Sequence, residues 1–144
     1  MKQPHIIPIS DTVYQLNEDY EYVWITNNVV NKIKVPKGFR YDGATVPRIL
    51  WSITGILPDG PHRAGTLVHD WIYKFEGNLP EGSHTFISYN EYNLTPNFHK
   101  VIGKWSRKDA DKLARKMWVE AGVKSSNLMY LFVRIFGFFF WKQL

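Results

Sequence analysis

The chain contains no cysteine, which removes disulfide frameworks, thiolate metal sites and cysteine nucleophiles together. Any metal would have to be held by His and carboxylate ligands. A long hydrophobic run is also missing. The longest apolar stretch, Leu128 to Trp141, has 14 residues and contains Arg134, short of the roughly 20 that cross a bilayer, so no spanning helix is expected. The opening M-K-Q-P-H-I-I-P-I-S is broken by Pro4 and Pro8 before an apolar region develops, and no secretory signal is expected. Internal repeats and low-complexity tracts are absent as well. What remains is the profile of one globular domain spanning residues 1–144, with 44% hydrophobic and 22% charged residues, neither disordered nor fibrous.

Aromatic residues are abundant, at 16% of the chain with 9 Phe, 8 Tyr and 6 Trp, and rings on that scale need a core, a partner or a ligand to cover them. Lys and Arg outnumber Asp and Glu by 18 to 13. The whole excess follows Ile72, where the counts are 11 and 6 against 7 and 7 before it. A local excess of this size is compatible with a phosphate-bearing or anionic-lipid partner, but it is ordinarily a solvated helix face. Nucleic acid is not expected as a partner.

Residues 11–41 read as strands, because T-V-Y-Q-L, Y-E-Y-V-W-I-T and V-V-N-K-I-K-V are rich in β-branched and aromatic residues and are separated by polar turns at Asn17–Asp19 and Asn27–Asn28. An antiparallel meander is the expected assembly. A short helix is expected near Pro47, with Thr45 as a candidate cap. Between Pro61 and Phe75 the residues Ala64, Leu67, Val68, Trp71, Ile72 and Phe75 share one helical face. Residues 77–105 form a long excursion with a strand expected at Thr85 to Tyr89. Ser106, with Asp109 three residues on, opens the clearest helix, and Gly122 closes it. A last helix is expected from Ser125 or Ser126 to about Trp141. The predicted fold is α+β: a small N-terminal antiparallel sheet packed against about three helices, the last one aromatic.

On a helical wheel centred on Val68, His69 falls about 100° away, His62 about 120°, Tyr73 about 140° and Thr66 about 160°, a polar stripe beside the core face. Asp70, about 200° away, is expected on the opposite side, towards water or the preceding loop. In the Ser106 helix Arg107 and Asp111 border the buried face, whereas Lys108, Lys112 and Lys116 form a separate basic face. Arg107 and Asp111 fit an ordinary i,i+4 ion pair as well as a ligand set. Likewise a His beside an apolar face is commonly a hydrogen-bonded core residue.

Three blocks in order, V-P-K-G-F-R-Y-D-G-A-T-V-P-R (Val35 to Arg48), H-D-W-I-Y (His69 to Tyr73) and S-R-K-D-A-D (Ser106 to Asp111), resemble the phage-associated domain-of-unknown-function family 1353. Its pattern is V-P-x-G-F-x-T-D-G-A-S-x-P, H-D-x-x-Y and R-x-x-A-D, and the resemblance covers about residues 30–137. Tyr41 stands where the family has Thr, and Thr45 where it has Ser. The 32 residues between Tyr73 and Ser106 exceed the family's short connection, which marks 77–105 as an insertion. The resemblance implies a bacteriophage or prophage protein and nominates Asp42, the backbone around Gly43, His69, Asp70, Tyr73, Arg107 and Asp111; it supplies no reaction.

Two classes of function follow. In the first, a hydrolase-like protein, His69, Asp70 and Asp111 hold a divalent metal, Zn or Mn by ligand chemistry, or activate water. Asp42 then orients or ligates, with Thr45 in the same loop, and Tyr73 and Arg107 contact an anionic substrate group. No H-E-x-x-H or comparable ligand spacing accompanies them. In the second, the same cluster staples loop to helices in a non-enzymatic tail- or neck-associated component of a phage particle. Either class places the protein in the host cytoplasm or the particle. The residues of 128–141 are apolar on every side of a wheel, so a protein partner or self-association is expected there. A membrane surface fits less well, because a polar face is lacking, and complete burial in the monomer is the alternative.

Overall fold

The computed structural model describes residues 1–10, 13–42, 60–89, 96–100 and 104–141. Within them the chain runs β1 (Ile6–Pro8), β2 (Val13–Leu16), β3 (Tyr20–Thr26), β4 (Val29–Val35), β5 (Arg40–Asp42), α1 (Arg63–Lys74), β6 (His84–Tyr89), β7 (Pro96–Lys100), α2 (Arg107–Glu120), α3 (Ser126–Phe136) and α4 (Phe138–Trp141). This is an α+β fold, as the sequence predicts. The loop after Asp42 and the helix expected near Pro47 lie outside the described residues.

The single meander expected over 11–41 is instead divided between two antiparallel sheets, ordered β1-β2-β5 and β3-β4-β6-β7. Pro36 and Gly38 cause the division. Gly38 takes φ +92°, a left-handed turn that glycine adopts without penalty, and its N–H and the Phe39 carbonyl bond to Leu16 at 2.8 Å each. The chain thus leaves β4 and returns beside β2 as β5, with Tyr41 opposite Tyr14. Strand β1 is unforeseen because of Pro8, which an edge strand tolerates. In the second sheet Asn27 and Asn28 take φ 53° and 63° and close a two-residue hairpin, with Thr26 opposite Val29.

Every residue of α1 from Ala64 to Tyr73 is buried, so this helix is the axis of the molecule. Leu16, Ile33 and Val35 from the sheets meet its Leu67, Val68 and Ile72 in one core. Gly65 lets α2 approach closely: a Cβ there would stand 2.6 Å from the Trp118 ring and 3.1 Å from the Ala114 carbonyl oxygen. The long segment 77–105 supplies β6 and β7. Strand β6 pairs with β4, placing His84 opposite Ile33, so this segment extends a sheet. Just before it, Ser83 accepts the Trp71 indole N–H at 2.8 Å and donates to the Lys34 carbonyl at 3.0 Å.

Ser106 caps α2 as expected, accepting the Asp109 N–H at 3.0 Å. The last helix is interrupted at Gly137, between α3 and α4. Helix α3 buries only Ser126, Met129 and Val133, and leaves Leu128, Leu131, Ile135 and Phe136 exposed. No helix among the described residues is long and apolar enough to cross a membrane.

Candidate functional site

Helices α1, α2 and α3 meet at Asp111, which is 0% exposed. The capped start of α2 sets its register, so that Asp111 faces α1 one turn after Arg107. His69 Nε2 lies 2.7 Å from Asp111 Oδ1, and the Tyr73 hydroxyl donates to the same oxygen. On Oδ2 the Arg134 guanidinium of α3 donates at 2.8 Å, and Arg107 Nη1 stands at 3.6 Å. Arg107 itself donates to the Val133 and Arg134 carbonyls at 2.9 and 3.2 Å, placing a cation at the C-terminal end of α3 where the helix dipole favours one. The i,i+4 spacing on α1 lays the His69 and Tyr73 rings together, centroids 4.0 Å apart, and Trp141 of α4 meets Tyr73 edge-on at 4.8 Å.

Burial alone would lower the His69 pKa. The hydrogen bond to Asp111 and the negative charges of Asp111 and nearby Asp70 outweigh it, and the pKa is raised above its usual 6.5. An imidazolium donates from both nitrogens, and Nδ1 faces Asp70 Oδ1 at 3.8 Å. For Tyr73, burial and then the bond to Asp111 push the phenol pKa far up, so the hydroxyl stays a donor.

A family model described as Protein of unknown function (DUF1353) matches residues 14–133. The chain belongs to this family. No curated protein and no solved structure matches it. The span matched to DUF1353 runs from β2 to Val133 and holds His69, Tyr73, Arg107 and Asp111, while Arg134 falls one residue beyond it.

The structure joins His69, Asp70, Tyr73, Arg107 and Asp111, residues drawn from two of the three sequence blocks. Asp42 ends β5 with its backbone opposite Val13; Gly43 and Thr45 lie outside the described residues. One placement is corrected. Asp70 does not face water: it is buried, because α1 is covered on all sides and a wheel with one buried face does not describe it. Among the described residues no three His, Asp or Glu side chains are grouped to hold a metal ion, so His69, Asp70 and Asp111 gain no support there as a ligand set.

Arg134 and Gly137 complete the cluster in this chain and stand outside the three sequence blocks. The signal for Arg134 was a lone cation in an apolar helix, which reads as a buried partner for a carboxylate once the helix is known to pack. Gly137 is required sterically, since a Cβ there would stand 2.6 Å from the Tyr73 hydroxyl and 3.0 Å from Arg107 Nη1.

Proposed function

We infer that this DUF1353 chain is a non-enzymatic structural or interaction component of a bacteriophage or prophage particle, with the Asp111 cluster as a structural staple and α3 as the docking element. The observation that carries this is the saturation of Asp111. A carboxylate has about four acceptor positions, and here Oδ1 receives His69 and Tyr73 while Oδ2 receives Arg134 with Arg107 beside it. Little accepting capacity is left for a metal-bound water or a substrate. The exposed Leu131, Ile135 and Phe136 supply the apolar surface that a protein partner or a second copy would cover. The three sequence blocks support a phage origin, with the host cytoplasm or the particle as location.

A hydrolase-like reading is favoured by one specific observation. His69 Nδ1 is buried without a hydrogen-bond partner while Nε2 is held by a carboxylate, an orientation in which the ring serves as a general base once it has lost the proton that Asp111 and Asp70 favour. One experiment separates the two. Protein purified without chelator is assayed for Zn and Mn, as wild type and as His69→Ala and Asp111→Ala, alongside quantification of the chain in purified particles. Stoichiometric presence in particles, no metal retained or rebound, and lowered stability in both variants are expected. Stoichiometric metal that both variants lose while remaining folded would overturn the staple.

A further inference from the structure

A second polar and aromatic cluster lies between the β3–β4 hairpin and α2, in a cleft of about 660 Å³ that shares no lining residue with the Asp111 site. Alternate residues of β3 point towards α2, and the Tyr22 hydroxyl reaches Glu120 at 2.8 Å. Next on that face is Trp24. His84 of β6 stacks on it at 5.3 Å and 24°, and Trp105 meets it edge-on at 6.2 Å. The Trp105 indole N–H donates to His84 Nδ1 at 3.2 Å, and His84 Nε2 lies 3.1 Å from Asn31 Oδ1. Burial lowers the His84 pKa to about 4, so the ring is neutral at pH 7 and the two bonds assign its proton to Nε2. The floor of the cleft is therefore aromatic, uncharged and held in place.

Its rim is basic. Lys104, Lys112 and Lys116 stand there, and Asp109 is the one carboxylate among the described lining residues. Lys116 makes only an exposed pair with Glu120 at 3.5 Å, worth little in water. Lys108, Lys112 and Lys116 recur every four residues, about 6 Å apart along the helix, a row of like charges that α2 carries at some cost to itself. A neutral sugar would leave the lysines unused, and an inorganic anion would leave the rings unused. An acidic peptide would engage both only where acidic and aromatic side chains happened to alternate. A nucleic-acid strand carries a ring and a phosphate at every residue, whereas a duplex keeps its bases stacked away from such a floor.

We propose that this cleft binds single-stranded nucleic acid, with a base against the Trp24–His84–Trp105 corner and phosphates along Lys104, Lys112 and Lys116. This reverses the expectation from composition. The lysines do form a face separate from the Asp111 site, but the fold sets that face beside three aromatic rings contributed by β3, β6 and the segment before α2.

The test is fluorescence anisotropy with a labelled oligothymidylate of about twelve nucleotides, a length that covers one compact binding site. Binding at low salt that weakens steadily as salt rises is expected. The double variant Lys112→Glu/Lys116→Glu alters two exposed side chains, and a thermal melt checks that it remains folded. Its affinity should fall about tenfold or more, because attractive phosphate contacts become repulsive. Trp105→Phe should lose part of the tryptophan quenching that the strand produces. The proposal is overturned by no binding at low salt, by unchanged affinity in the folded double variant, by a duplex of mixed sequence binding as tightly, or by tighter binding of an acidic, tyrosine-containing peptide.

Discussion

Removing the Asp111 carboxylate would leave the His69 ring, the Tyr73 hydroxyl and the Arg134 guanidinium converging on a site with no acceptor. Loss of one partner from a buried charged network ordinarily costs about 3–5 kcal/mol. Arg134 is partly exposed and can recover some hydration, so Asp111→Ala is expected to cost about 3 kcal/mol, seen as a lower urea midpoint at unchanged slope. His69 adds a pH dependence of definite sign. Its folded pKa is raised above 6.5, so the folded state binds the proton more tightly than the unfolded chain does. That contribution is complete below the unfolded value and is lost as pH rises through the folded one. The stability gap between wild type and His69→Gln should accordingly be larger near about pH 5.5 than near about pH 9. A gap that widened towards alkaline pH would show that the ring is buried neutral.

Between elements, α1 and α2 approach closely at Gly65, where a methyl group would meet the Trp118 ring and a backbone carbonyl. Trp118 cannot easily withdraw, because it is 1% exposed and its indole N–H donates to the His62 carbonyl at 3.2 Å. In an exposed helix, alanine for glycine would gain about 1 kcal/mol of propensity; here overpacking should outweigh it. Gly65→Ala is expected to destabilise the fold by about 1–3 kcal/mol, read by chemical denaturation, and a gain in stability would show the interface to be looser than described. The long segment 77–105 belongs to the same scale. In the chain it reads as a long excursion with one strand; in the fold β6 hydrogen-bonds along β4 and Ser83 ties it to α1 through Trp71. Sheet pairing and a buried indole donor make it part of the framework.

For the molecule as a whole, the uncovered apolar surface is the outer side of α3, where Leu131, Ile135 and Phe136 are each about half exposed. If that face associates, Leu131→Glu/Ile135→Glu should reduce the assembly size seen by light scattering while leaving the thermal midpoint within a few degrees of wild type, since exposed side chains contribute little to the fold, about 0.5 kcal/mol or less each. An unchanged mass, with no partner recovered by either form, would remove α3 as a docking element. Side-chain changes are the cleaner test, because truncation at Gly137 would also remove Trp141 from its contact with Tyr73.

The sequence alone determined whatever depends on neighbours within about four residues or on strand alternation: the Ser106 cap, the Asn27–Asn28 turn, the long apolar face of α1 and hence the α+β class. The ordered blocks H-D-W-I-Y and S-R-K-D-A-D also placed His69, Tyr73, Arg107 and Asp111 in one candidate site, although His69 and Asp111 are 42 residues apart. Tertiary structure decided the rest. Asp70 is buried because α1 is enclosed by other elements, which no wheel of α1 contains. Arg134 reaches Asp111 across 23 residues because α3 folds back on α2. The lysines of α2 gain an aromatic neighbourhood only where β3, β6 and Trp105 converge on them. Contacts of this kind depend on the path of the whole chain, and local periodicity carries no record of that path.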